Sequence, residues 1–186
     1  MKKVILIVTF IILLIGCQTA DNQDSINKTI IQESSLKDFI EEHADLEIVY
    51  TLVADINGDY KPESFLVSGK SDPKLWYIDN NGKGSVIIDA NGCSYLSTEL
   101  VDRGKEKHIA FMGFYEPSNT NLWVIRMEEG IPKIVFEFMA DWEIRISQDR
   151  FDMTWKDYNS NAEEGGYDLV VDKYFWDEKQ SKYIKE

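Results

Sequence analysis

Hydrophobic and polar positions along this chain fall into short runs, broken every few residues by Gly, Pro, Asn or Asp. Punctuated apolar runs of this kind predict β-strands. They cover Glu47–Ala54, Glu63–Ser68, Leu75–Asp79, Ser85–Asp89, His108–Tyr115, Asn121–Met127, Ile131–Met139, Glu143–Ser147, Phe151–Trp155, Tyr167–Trp176 and Lys182–Ile184. Ahead of them, Ser35 followed by Asp38 marks a helix start. Leu36, Phe39 and Ile40 then share one helical face, and the helix ends near Ala44. The expected fold class is all-β, a meander of antiparallel strands after one short N-terminal helix.

The strand series carries a weak internal repeat. Leu75-Trp76-Tyr77-Ile78, then Gly82, then Val86-Ile87-Ile88 forms one hairpin pattern. Leu122-Trp123-Val124-Ile125, then Gly130, then Ile134-Val135-Phe136 repeats it, and Tyr174-Phe175-Trp176 with Tyr183-Ile184 is a looser copy. The copies lie roughly 50 residues apart, the spacing of four-stranded propeller blades. Each is expected to follow a strand, an acidic loop and another strand. That loop comes after Leu52-Val53-Ala54 in the first unit, after Leu100-Val101 in the second and after Thr154-Trp155 in the third. Closed propellers use about four blades or more, so these blade-like units are expected to form a compact monomeric meander.

The N-terminus follows a different pattern. Lys2 and Lys3 precede an apolar run from Val4 to Ile15, interrupted only by Thr9. The run is too short to span a bilayer core, which needs about 20 residues, and has the layout of an export signal. Its ending, Leu14-Ile15-Gly16-Cys17, resembles the lipobox of bacterial lipoprotein precursors. That resemblance implies cleavage before Cys17, diacylation of its sulfur, and attachment to the outer face of the cell membrane. Long acyl chains on one residue hold a protein to a bilayer effectively for good, at about 0.8 kcal/mol per buried CH₂. The polar stretch up to Ser34 cannot bury enough apolar surface to fold alone. The expected organisation is thus signal peptide 1–16, lipidated tether 17–34 and a single β domain 35–186.

Charge narrows the partners. The chain has 20 Lys and Arg against 33 Asp and Glu, a net charge of −13. Loss of the signal removes two of the positive charges. Nucleic-acid binding, which needs a basic face, is not expected. With Cys17 lipidated, Cys93 has no disulfide partner and is expected as a small buried apolar residue. The tryptophans lie in or beside the strands and are expected to pack in the core.

One loop carries recognisable chemistry. Asp55-Ile56-Asn57-Gly58-Asp59-Tyr60-Lys61-Pro62-Glu63 places oxygen-bearing side chains at Asp55, Asn57 and Asp59, with another at Glu63. Calcium takes roughly six to eight oxygens, and a tight acidic turn with this alternation can wrap one, Lys61 contributing its backbone carbonyl. A solvated acidic hairpin turn explains Asn57-Gly58 equally simply. The loop resembles the calcium loop of FG-GAP, or integrin-α-type, propeller repeats, which also joins two strands of a blade. The flanking Val53-Ala54 and Phe65-Leu66-Val67 fit that repeat. Tyr60, where a glycine often eases the turn, and Glu63, in place of the usual aspartate, depart from it. The resemblance implies calcium held by Asp55, Asn57, Asp59, Lys61 and Glu63. A weaker metal candidate is Asp157, Asn159, Asn161 and Glu163. The second loop, Asp102-Arg103-Gly104-Lys105-Glu106-Lys107, carries three basic residues and has lost the pattern.

Catalytic signatures are missing from the sequence. His43 and His108 are the only histidines and make no His-Glu-x-x-His spacing. There is no Gly-x-Ser-x-Gly elbow and no phosphate loop. The expected function is a membrane-anchored, non-enzymatic binding module for an envelope protein or glycan, stabilised by calcium. The alternatives are an envelope hydrolase using loop carboxylates and an inhibitor or immunity-type lipoprotein.

Overall fold

The computed structural model describes residues 34–158 and 166–186. One helix, α1 (residues 34–42), precedes twelve strands. These are β1 (Ile48–Ala54), β2 (Glu63–Ser68), β3 (Lys74–Ile78), β4 (Gly84–Asp89), β5 (Tyr95–Asp102), β6 (Lys107–Tyr115), β7 (Asn119–Glu128), β8 (Ile131–Ala140), β9 (Glu143–Ile146), β10 (Arg150–Asp157), β11 (Asp168–Asp177) and β12 (Lys182–Lys185). They pair in sequence order into three antiparallel sheets of four strands, β1–β4, β5–β8 and β9–β12. The fold is all-β after one short helix, with the units read from the repeat. Each hairpin copy forms the third and fourth strands of its sheet. Among the described residues no helix is long and apolar enough to cross a membrane.

The sheets stack in a row, because each buries a face that its neighbour must cover. Phe65, Val67 and Leu75 of the first sheet meet Ile109, Phe111, Trp123 and Ile125 of the second in one apolar cluster. On its opposite face, the second sheet sends Ala110, Leu122 and Val124 against Phe151, Met153 and Tyr183 of the third. Consecutive residues of β7 therefore point into two different cores. That explains the unbroken apolar run Leu122-Trp123-Val124-Ile125, since strands buried on both faces lose the polar alternation. No cluster among the described residues joins the first sheet to the third. The row is open.

Helix α1 covers the far face of the first sheet. Leu36 and Phe39 pack on Leu66 and Ile78, with Trp76 and Val53 beside them. All of β2 is consequently buried. Phe39 lies so close to the β3–β4 hairpin that a Cβ at Gly84 would fall 2.3 Å from its ring. The far face of the third sheet has no such cover among the described residues, and Leu169 and Val171 there are about half exposed.

Three expectations need correction. Strand β5 was expected only at its end, Leu100-Val101, but runs from Tyr95 to Asp102. The loop after Trp155 does not join the first two strands of its sheet. It follows β10, the second strand, and the turn equivalent to residues 55–62 is Ser147–Asp149 between β9 and β10. Core packing holds for Trp123, at 6% exposure, but Trp142 and Trp155 are 47% and 40% exposed. Cys93 is buried and unpaired, as expected, with burial raising its thiol pKa.

Candidate metal loop and an adjoining cationic cleft

The loop from Asp55 to Glu63 joins β1 to β2 and is held by its own acidic side chains. Asp55 accepts the backbone N–H of Gly58 through Oδ1 at 2.8 Å and that of Tyr60 through Oδ2 at 3.0 Å. Asn57 Oδ1 accepts from Asp59 N at 2.8 Å, and Asp59 Oδ1 accepts from Lys61 N at 2.8 Å. Glu63 Oε2 closes the loop on Ile56 N at 2.8 Å. Ile56, fully buried, plugs the loop into the core between the first and second sheets. Its carbonyl accepts from Lys107 N at 2.6 Å, so the loop is tied to β6 as well.

These bonds take one lone pair from each oxygen they engage, and an amide or carboxylate oxygen has two. Glu63 is 7% exposed, and burial, with Asp59 and Asp55 adding like charge, pushes its carboxyl up to about 7. No lysine or arginine of the described residues forms an ion pair with any of the three. Hard carboxylate and amide oxygens are the donor type that calcium takes. Among the described residues, no three His, Cys, Asp or Glu side chains are gathered where they could hold a metal ion.

Tyr60 adopts φ +63°, left-handed backbone that a residue with a Cβ takes at a cost of about 1–2 kcal/mol. Its side chain is 77% exposed and adds nothing to the core. Tyr60→Gly removes that strain but loosens the unfolded chain, for a net gain of about 0.5 kcal/mol in a urea melt. An unchanged or reduced midpoint would show that the tyrosine ring contributes to the loop.

Asp157 ends β10 on another sheet. Asn159, Asn161, Glu163 and Cys17 lie outside the described residues.

What the sequence reading missed lies beside the loop. The β5–β6 turn, read as a lost acidic repeat, lines a cleft of about 280 Å³ with Asn57, Arg126, Trp176 and Glu178. Arg103, Lys105 and Glu106 come from that turn. Behind it runs a buried polar chain. Arg103 Nε donates to the Tyr183 hydroxyl at 3.1 Å, and that hydroxyl lies 2.8 Å from His108 Nδ1. His108 Nε2 is 3.4 Å from Glu106 Oε1, while Glu106 Oε2 accepts from Arg126 Nε at 2.9 Å. An ionised carboxylate only accepts, so Nε2 carries the imidazole proton and Nδ1 receives the tyrosine hydrogen.

His108 is fully buried. Burial lowers its pKa to about 4; Glu106 opposes the shift, and Arg103 and Arg126 add to it. Burial likewise pushes Tyr183 up to about 12. Trp176 stands edge-on to His108 at 4.4 Å, with Arg126 over its ring at 5.5 Å. The arrangement positions fixed positive charge.

The acidic loop and the cleft are contiguous: Asn57 belongs to both. No protein-family model and no curated protein matches the chain.

Proposed function

We propose that this chain is a lipid-anchored, extracytoplasmic binding module that performs no catalysis and uses calcium to stiffen the edge of its binding face. The observation that carries the reading is the Asp55–Glu63 loop. Its acidic side chains bond their own backbone while three carboxylates have no cationic partner among the described residues. Its position between the first and second strands of a four-stranded sheet supports the resemblance to FG-GAP repeats. The lipobox ending at Cys17 supports the anchor and the location. Envelope proteins and glycans are the partners such a location offers.

Within this reading Asp55, Asn57, Asp59, Glu63 and the Lys61 carbonyl hold the ion. Bound calcium would supply the cationic partner that Asp55, Asp59 and Glu63 have from no lysine or arginine among the described residues. Asp55 and Asp59 keep the turn closed, and Glu63, the first residue of β2, ties Ile56 N–H to that strand.

The test is thermal melting of the purified protein in chelator and in calcium. A ligand present at ten times its Kd stabilises by about 1.4 kcal/mol, several degrees for a domain of this size. Millimolar calcium is expected to raise the wild-type midpoint by that amount and to leave Asp55→Ala combined with Asp59→Ala unmoved. Equal calcium shifts in the two proteins would sink the reading, as would no shift in either.

A further inference from the structure

The far face of the third sheet keeps apolar side chains in water. Leu169 and Val171 are about half exposed there, and Ile184, register partner of Phe175, is exposed as well. These residues alternate with the inward-facing Phe151, Met153, Tyr174 and Tyr183, which pack on the second sheet. The corresponding face of the first sheet is sealed by α1.

A row of charge crosses this far face. Arg145 of β9 pairs in register with Asp152 of β10, and Asp152 with Lys173 of β11. Glu186, just past β12, continues the row: its N–H donates to the Lys173 carbonyl at 3.0 Å. Strand alternation puts all four side chains on the outer side. Across the sheet the charges therefore run plus, minus, plus, minus. Arg145 and Asp152 also bond Glu143 and Arg150 of the same face. The Arg145 side chain is still 69% exposed, and Lys173 and Glu186 are exposed.

A row in this order is complementary to itself in one orientation. A two-fold axis in the plane of contact, parallel to the strands and between β10 and β11, reverses the strand order of the second copy. Arg145 then faces Glu186 of the second copy, and Asp152 faces its Lys173. Each contact occurs twice, as an isologous interface requires. A two-fold axis across the strands would instead set each charge against its own kind. Sheets packed face to face keep their strands within about 30° of each other, a skew that long side chains such as Arg and Glu span.

We infer that a second copy of this chain covers this face, giving a two-fold dimer through the third sheets. The balanced row matters in a chain of net charge −13, because two copies repel one another over most of their surface. Val171 of both copies lies next to the axis, since its register partner is Thr154 of β10. With α1 sealing the outer face of each first sheet, the row of sheets ends at two copies. The pair replaces the monomer that three blade-like units suggest.

Sedimentation equilibrium of the full chain tests this, with Arg145→Glu and Glu186→Arg measured singly and as an equal mixture. Both side chains are exposed, so neither reversal disturbs the core. Within one copy the two residues stand three strand spacings of about 4.8 Å apart, too far for an ion pair. The wild type is expected to dimerise reversibly. Each single variant creates two like-charge contacts in its own dimer and is expected to associate about tenfold more weakly. In the mixture both contacts become opposite pairs again, and a mixed dimer of wild-type affinity is expected. Val171→Asp is expected to abolish association. The proposal is overturned if the wild type stays monomeric at millimolar concentration, or if Val171→Asp associates undiminished. It is also overturned if all the proteins associate equally, as a contact through the apolar N-terminus would make them, or if the mixture associates no better than its components.

Discussion

Replacing Gly58 with alanine is expected to cost about 3 kcal/mol of stability, a large effect for one methyl group on an exposed loop. Two costs add at this position. Gly58 has φ +76°, which a residue with a Cβ resists. The added Cβ would also lie 2.3 Å from the backbone carbonyl oxygen of Lys105, less than any contact atoms tolerate. A flexible side chain could step aside, but this neighbour is main chain. Moving it disturbs the β5–β6 turn, whose Arg103 N–H is bonded to the Glu106 carbonyl at 2.9 Å. The mutation therefore disturbs the acidic loop and the cleft together. Urea denaturation measures the loss. Gly92→Ala is the comparison: it has φ +79° but no atom within 4 Å of the added carbon, and should show the backbone cost alone. Equal losses at the two sites would mean that the close approach has no energetic weight.

The second large effect is a pair of opposed pH dependences. His108 is held neutral, its pKa lowered from 6.5 to about 4. Below pH 6.5 the unfolded chain gains a proton there that the folded chain does not, so stability present above pH 6.5 is lost as pH falls towards 4. Glu63 runs the other way, raised from 4.5 to about 7. Between these values the folded chain holds a proton that the unfolded chain has released, so stability present below pH 4.5 is lost as pH rises through 7. Each shift corresponds to about 3 kcal/mol. With both groups present, the two slopes largely cancel between pH 4.5 and 6.5. His108→Gln exposes the Glu63 slope: in chelator this variant becomes less stable from pH 4.5 to 7.5. Glu63→Gln exposes the His108 slope: this variant becomes more stable from pH 4.5 to 6.5. Parallel stability profiles for the two variants would refute the assignment. The groups facing His108 are Glu106, Arg103, Arg126 and Tyr183, and those facing Glu63 are Asp55, Asp59 and Tyr77.

Much of the fold was legible because each sheet ends in an apolar hairpin. Leu75–Ile88 and Leu122–Phe136 announce themselves through tryptophan and β-branched residues on either side of a glycine turn. In the second of these, Glu129 and Gly130 both have positive φ, the paired left-handed turn such hairpins favour. Strand β5 was less legible because Ser97, Thr98, Glu99 and Asp102 dilute its apolar content, and as an edge strand it pairs only with β6. The third unit was misread because Asp157, Asn159 and Asn161 drew the acidic loop to them, whereas strand order assigns that position to Ser147–Asp149.

The Asp55–Glu63 loop was legible as a local spacing, since its hydrogen bonds connect residues within one turn. The cleft was not. Arg103, Arg126 and Trp176 come from separate strands and turns, and only the stacking of the second sheet on the third brings them together. The signal that could have found it was the run Arg103-Gly104-Lys105 in an otherwise acidic chain, at a position where the repeat predicted carboxylates.

The open row of sheets has a consequence for how the molecule comes apart. Where each unit touches only its neighbours, stability is a sum of unit and interface contributions rather than one global quantity. The second sheet takes part in both interfaces, while the first and third each have one, so the ends can loosen independently and the middle cannot loosen without releasing both. The two ends are also unequal, because α1 seals one and no described residue seals the other. Loosening of the third sheet would open the cleft, whose lining includes residues of the second and third sheets, and leave the acidic loop, anchored by Ile56 between the first two, in place.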